Sequence, residues 1–193
     1  MILSFLILTH LLGDFVLQPT KLVRWKMTSY KGTLVHSLVH FLIGLILLSP
    51  FIINGYVWLI GIIFTISLIH FFIDQAKISY DLKHDEKVKP FIIDQMLHLL
   101  AIMLVNFFLG KTQLILPESS FTLIYSDLNI INFFSFLVFA GSVIEIYNFQ
   151  KKREKNAKAK LKFNKVEMIK RMLIFTMIYS VFTILGIYSY KFL

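Results

Sequence analysis

Apolar residues in this chain neither alternate nor gather into one helical stripe; they run on without a polar face. Six stretches, residues 1–18, 33–49, 56–76, 90–109, 129–148 and 171–190, are apolar almost throughout. Each approaches the ~20 residues a helix needs to cross the hydrocarbon core of a bilayer. Pro50, Asn54 and Gly55 interrupt the chain between the second and third stretches. Gly110, Pro117 and the polar run Glu118-Ser119-Ser120 do so between the fourth and fifth. The first stretch lacks a basic start and carries His10 and Asp14, so it does not read as a signal peptide. With no internal repeat and no low-complexity linker, residues 1–193 read as one domain. Its expected fold is all-α, a polytopic transmembrane helical bundle of about six spans.

Composition narrows the class further. Of 193 residues, 57% are hydrophobic and 16% charged, against about 25% charged in soluble domains. A soluble fold of this size buries only about 70% of its unfolded surface and could not hide so much apolar area. An ordinary soluble enzyme, a disordered chain and a disulfide scaffold are excluded, and the absence of cysteine removes thiolate metal sites and iron–sulfur clusters. The net charge of +9 gains meaning from its placement. The connections 19–32, 77–89 and 149–171 hold 18 of the 20 Lys and Arg, whereas the alternate connections hold only Lys111, and Lys191 lies near the C-terminus. Cytoplasmic loops carry the basic excess, so both termini are expected outside. Low Gly and Ala with abundant Lys, Ile, Asn and Phe fit a bacterial chain, hence a multi-pass protein of the bacterial cytoplasmic membrane. The run from Lys151 to Lys165 enforces that topology and attracts anionic lipid headgroups. No aromatics interleave with charge as nucleic-acid binding would require, and oligomeric state is left open.

Against this background the polar residues inside the spans stand out, because ionisable groups in a membrane mark function. His10 precedes Asp14 by four, His36 precedes His40 by four, His70 precedes Asp74 by four, and Asp94 precedes His98 by four. Residues four apart share a helix face. Given antiparallel neighbours, Asp14, His36, Asp74 and Asp94 form a layer toward the cytoplasm, and His10, His40, His70 and His98 a layer one turn deeper. No counter-charge for the three aspartates is visible in the sequence, and unpaired buried charge is costly. Divalent metal answers that need: all eight residues are expected metal ligands, enough for two ions. Zn suits the mixed imidazole and carboxylate set best, with Fe or Mn as alternatives. His–Asp hydrogen bonds of a satisfied core, bis-histidine haem and a proton path are weaker readings. Gln18, Gln75, Lys77 and Gln95 are expected to orient ligands or water. Glu145 and Arg171 lie at similar depth, Arg171 as a topology anchor or a phosphate contact. Asp81 and Asp85, among Lys83, His84, Glu86 and Lys87, read as a solvated loop. Trp25, Tyr56 and Trp58 read as interfacial belt residues.

The motif His10-Leu-Leu-Gly-Asp14-Phe15-Val-Leu17-Gln18 resembles a bacterial membrane family known as domain of unknown function 3307. So do His36-x-x-x-His40, His70-Phe-Phe-Ile-Asp74 with Lys77, and Asp94-Gln95-x-x-His98. The likeness covers residues 1–109 well and the last two helices loosely: Lys170-Arg171 stands where the family has Glu-Arg. It implies an integral membrane protein with clustered His and Asp, similar in style to membrane-bound metal-dependent hydrolases. Residues 1–109 are thus the expected metal-site core, with accessory helices in 129–193 and a basic loop at 149–171.

The expected function is a metal-dependent hydrolase acting on a phosphoester of a lipid or amphiphile at the cytoplasmic leaflet. Asp14, Asp74 and Asp94 would ligate, bridge or serve as base, because metals acidify water and two ions clamp attacking and leaving oxygens. A divalent-metal or proton transporter is the alternative, but the polar groups cluster on one side and no paired helix breaks lie at the midplane. A closed structural metal site is the third reading.

Overall fold

The computed structural model describes residues 1–110, 112, 114–156 and 158–190, so Lys111 and Lys191 lie outside the described residues. Its elements are α1 (Ile2–Leu11), a π turn (Leu12–Val16), α2 (Thr20–Thr28), α3 (Tyr30–Ile53), α4 (Leu59–Asp81) and α5 (Val88–Leu109). They continue with α6 (Ser120–Tyr125), α7 (Leu128–Val138), a second π turn (Phe139–Val143), α8 (Ile144–Lys155) and α9 (Lys165–Tyr190). Among the described residues there is no strand. The chain is all-helical, and four of its helices are long and apolar enough to cross a membrane: α3, α4, α5 and the run Leu128–Lys155.

The fifth candidate differs from its sequence expectation. The apolar stretch 1–18 is a helix only to Val16, about 22 Å long at 1.5 Å per residue, and the chain then bends 91° into α2. The bend falls at Pro19, whose extended φ and ψ end one helix and begin the next. The expected loop 19–32 therefore contains a helix. Elsewhere the helices outrun their apolar cores. α3 continues through Pro50 to Ile53 because the Ser49 hydroxyl donates to the Ile46 carbonyl at 2.8 Å, replacing the bond that proline lacks.

Each long helix exposes a stripe that is mainly apolar and buries one that mixes apolar and polar residues. On α3, Leu34, Leu38, Leu42 and Ile46 are exposed while His36, His40, Gly44 and Leu48 are buried. On α4, Phe64, Leu68 and Phe72 face outward and Leu59, Ile63, Ser67, His70 and Asp74 inward. Exposed apolar stripes opposite polar interiors suit a lipid solvent. α1 packs against α3, α5 and α7, which explains why Ile2, Phe5, Leu6, Leu8, Thr9 and His10 are all buried. The interior has two halves. Phe5, Leu48, Phe51, Leu59 and Tyr125 fill one end, with Phe5 and Phe51 edge to face at 5.6 Å. The histidines and aspartates fill the other, toward the basic connections.

Candidate metal centre

Asp14 is the hub of the polar half. It stands in the first π turn, closed by the Leu17 amide donating to the Leu12 carbonyl at 2.8 Å. Such widened turns recur at functional sites because they re-aim a side chain that a regular helix would leave on its face. Oδ1 of Asp14 accepts from His36 Nε2 at 2.9 Å and His40 Nε2 at 3.1 Å, with His70 Nε2 at 3.6 Å. Oδ2 looks the other way, 3.8 Å from His10 Nε2 and 3.4 Å from the Gln95 amide. The four imidazoles expected in the deeper layer lie together, with ring centroids 3.8 Å apart for His40 and His70, 4.2 Å for His70 and His98, and 4.9 Å for His10 and His98. His36 is as near, 4.6 Å from His40 and 5.0 Å from His70, and Asp14 stands with His36 and His40 on one oxygen and His10 beside the other.

The close approach depends on Gly13. A β-carbon there would lie 2.4 Å from the His40 ring, so only glycine lets the π turn pack on that imidazole. Deeper in the bundle, a cavity of about 20 Å³ touches His10, His40, His70 and His98, room for one water-sized particle.

Seven of the eight expected ligands fall into three sets of donor atoms that converge within 4.8 Å; Asp94 belongs to none of them and lies instead against Lys77, Gln95 and His98. The sets are Asp14, His36, His40 and His70; His10, Asp14 and His98; and His70, Asp74 and His98. Hydrogen bonds account for only part of this convergence. His70 Nε2, His98 Nε2 and Asp94 Oδ1 are buried without a hydrogen-bond partner among the described residues. The His98 ring is oriented by its Nδ1, which donates to the Asp94 carbonyl at 2.8 Å and so leaves the lone pair on Nε2. Separations of 3.6 Å, as from His70 Nε2 to Asp14 and to Asp74, are long for hydrogen bonds but close to the ~3.4 Å edge of a tetrahedron of ligands around zinc. The donor set fits divalent metal.

Two aspartates have counter-charges, contrary to the expectation that none is at hand. Lys26, on α2, pairs with Asp74 Oδ2. Lys77 Nζ lies 3.3 Å from Asp94 Oδ2. Lys77 thus joins the cluster, as expected of an orienting group, but as an ion-pair partner. Lys26 belongs by sequence to a basic connection and carries no motif that marks it. The one local signal is spacing, since Lys26 follows the buried Leu22 by four and shares its helix face. Among the described residues, the hydrogen-bond and ion-pair partners of Asp14 are imidazoles and the Gln95 amide.

The remaining expected residues divide. Gln95 joins the cluster, its Oε1 3.1 Å from His10 Nε2 and its amide donating to Asp94 at 3.0 Å. Gln18 reaches His36 at 3.0 Å. The Gln75 amide has no hydrogen-bond partner among the described residues. Glu145 and Arg171 pair with each other at 2.6 Å, and the Arg171 Nε donates to the Ala140 carbonyl in the second π turn. That pair ties α9 to α8 and makes no contact with the cluster among the described residues.

No curated protein and no solved structure matches the chain. The sequence profile of a protein family of unknown function, DUF3307, matches residues 2–125, which include the whole His/Asp cluster and end with α6. The chain belongs to that family.

Proposed function

We propose that the protein is a membrane-embedded, metal-dependent hydrolase of a lipid or amphiphile phosphoester, working at the cytoplasmic leaflet of the bacterial cytoplasmic membrane. In this reading six spans place both termini outside and the three basic connections inside, where they gather anionic headgroups. The carrying observation is the position of Asp14, whose two oxygens face different imidazole sets. Asp14, His36, His40 and His70 would hold one divalent ion, zinc by preference, and His10, Asp14 and His98 would hold a second. Such ions acidify coordinated water and polarise a phosphoryl oxygen. Asp74 would accept the proton of a water whose oxygen bonds to phosphorus; as the ester P–O bond breaks, that proton would pass to the leaving alkoxide, which departs as the alcohol. Lys26 and Lys77, on the basic side of the cluster, receive the phosphate charge and orient the headgroup. The opposite half of the interior favours hydrolysis over transport, since the buried side chains described there include Phe5, Leu48, Phe51 and Leu59, all apolar.

Elemental analysis of the purified protein should find about two divalent ions per chain, and Asp14→Asn should lose both while remaining helical. Reconstituted wild type should release phosphate or headgroup from lipid vesicles, and Asp14→Asn should not. Metal-free protein at neutral pH would overturn the reading; ion flux without phosphoester cleavage would replace it with transport.

A further inference from the structure

A second polar cavity, of about 430 Å³, opens where α8 and α9 converge, away from the His/Asp cluster. Its wall on α8 is one helical stripe: Glu145, Asn148, Lys152 and Lys155 follow at three- and four-residue steps, from a buried end to an exposed one. Arg171 lies at the floor, held at two points. Its Nε donates to the Ala140 carbonyl at 3.0 Å and its Nη2 to Glu145 at 2.6 Å. The third guanidinium nitrogen, Nη1, makes no hydrogen bond among the described residues. Both carboxylates lining the cavity are neutralised, Glu145 by Arg171 and Glu167 by Lys170 at 3.0 Å. Lys151, Lys152, Lys155 and Lys162 also line it, and none of them forms an ion pair among the described residues.

We propose that this slot is a discrete binding site for a phosphate-bearing headgroup, with the anchored Arg171 as its fixed donor and the lysines closing around the anion. A planar guanidinium fixed by two hydrogen bonds offers its remaining donors with little loss of freedom, and phosphate is the anion whose geometry it matches. The volume is that of a small-molecule pocket and much exceeds what a bare ion needs. The slot runs from Glu145 to the first lysines of the span Leu128–Lys155, Lys151 and Lys152, which is headgroup level for a spanning helix. The site builds on the attraction of anionic headgroups proposed above, yet it needs neither bound metal nor hydrolysis. Diffuse attraction by the basic loops would distribute binding over every lysine on that face; a site confines it to these.

The test uses the full chain in phosphatidylcholine nanodiscs, titrated with phosphatidylglycerol and, separately, with glycerol phosphate. Retained lipid is counted by native mass spectrometry, and the glycerol phosphate arm is read as a thermal shift. Lys151→Gln/Lys155→Gln/Lys162→Gln should bind about tenfold more weakly or worse, since the charge-assisted contacts that close around the anion are lost; tenfold is about 1.4 kcal/mol. Lys21→Gln/Lys83→Gln/Lys89→Gln removes the same charge from the other two basic connections, so it reports the diffuse attraction alone and should weaken binding by less than about twofold. A response to both ligands makes phosphate alone sufficient; a response to the lipid alone assigns the slot to a headgroup held with its chains. Either supports the site. Equal loss in the two triple variants, or no loss in the first, overturns it. Metal content read on the same samples keeps this outcome separate from that of the metal centre.

Discussion

A single methyl group added at Gly13 would fall 2.4 Å from the His40 ring, inside any allowed contact. Gly13→Ala should therefore displace that imidazole, at roughly 1–3 kcal/mol for overpacking, which lowers the thermal midpoint by several degrees in a chain of this size. It should also reduce metal content. The specific check is non-additivity: in a His40→Ala background the ring is gone, and Gly13→Ala should cost far less there than in wild type. Equal costs in the two backgrounds would mean that Gly13 serves something other than His40. At this level the sequence is informative about the ligands and silent about their company. The eight His and Asp residues are visible because polar pairs at four-residue spacing, repeated in four apolar runs, rarely arise by chance. Lys26 is not, because its partner Asp74 lies far along the chain on another helix, and no local pattern reports such a contact.

Two kinds of element position the centre, and each departs from a straight apolar helix. The π turn at Leu12–Val16 brings Asp14 among the imidazoles, and the bend at Pro19 lays α2 beside α3, close enough for Lys26 to reach Asp74. A β-carbon on Gly32 would meet the backbone of Trp25 and Lys26 at 2.5 Å, so Gly32 sets how closely α2 lies against α3. Gly32→Ala should lift α2 and release Lys26. Amine labelling followed by mass spectrometry should show Lys26 protected in wild type and modified in Gly32→Ala to about the extent seen in Asp74→Asn. Continued protection would show that α2 is held by other contacts. The apolar runs themselves are legible in the sequence, with ends shifted by a few residues. The π turns and α2 are not, since a widened turn leaves the hydropathy pattern unchanged and a short helix rich in Lys and Arg looks like loop.

Across the bundle, the interior changes character from one end to the other. α4 shows it within one stripe, from Leu59 and Ile63 through Ser67 to His70 and Asp74. That gradient places the chemistry at the end where the basic connections emerge. Reporter fusions at both termini and in the connections 77–89 and 149–171 should be active outside for the termini and inside for the two loops. A terminus found inside would remove the six-span arrangement and, with it, the cytoplasmic placement of the site. The short α1, at about 22 Å against a hydrocarbon core of ~30 Å, makes the N-terminal reporter the most informative of these.

By itself the sequence determined the solvent, the helical class and the identity of the clustered groups, because composition, run length and four-residue spacing are local quantities. It also carried the basic asymmetry on which the proposed orientation rests. Tertiary contact alone assigned Lys26 and Lys77 to Asp74 and Asp94, put Asp14 at the centre and separated the Glu145–Arg171 pair from the cluster. Those outcomes depend on where helices bend and how closely they pack. That in turn rests on a few backbone features, Gly13, Pro19 and two π turns, whose consequences appear only once neighbouring helices are in place.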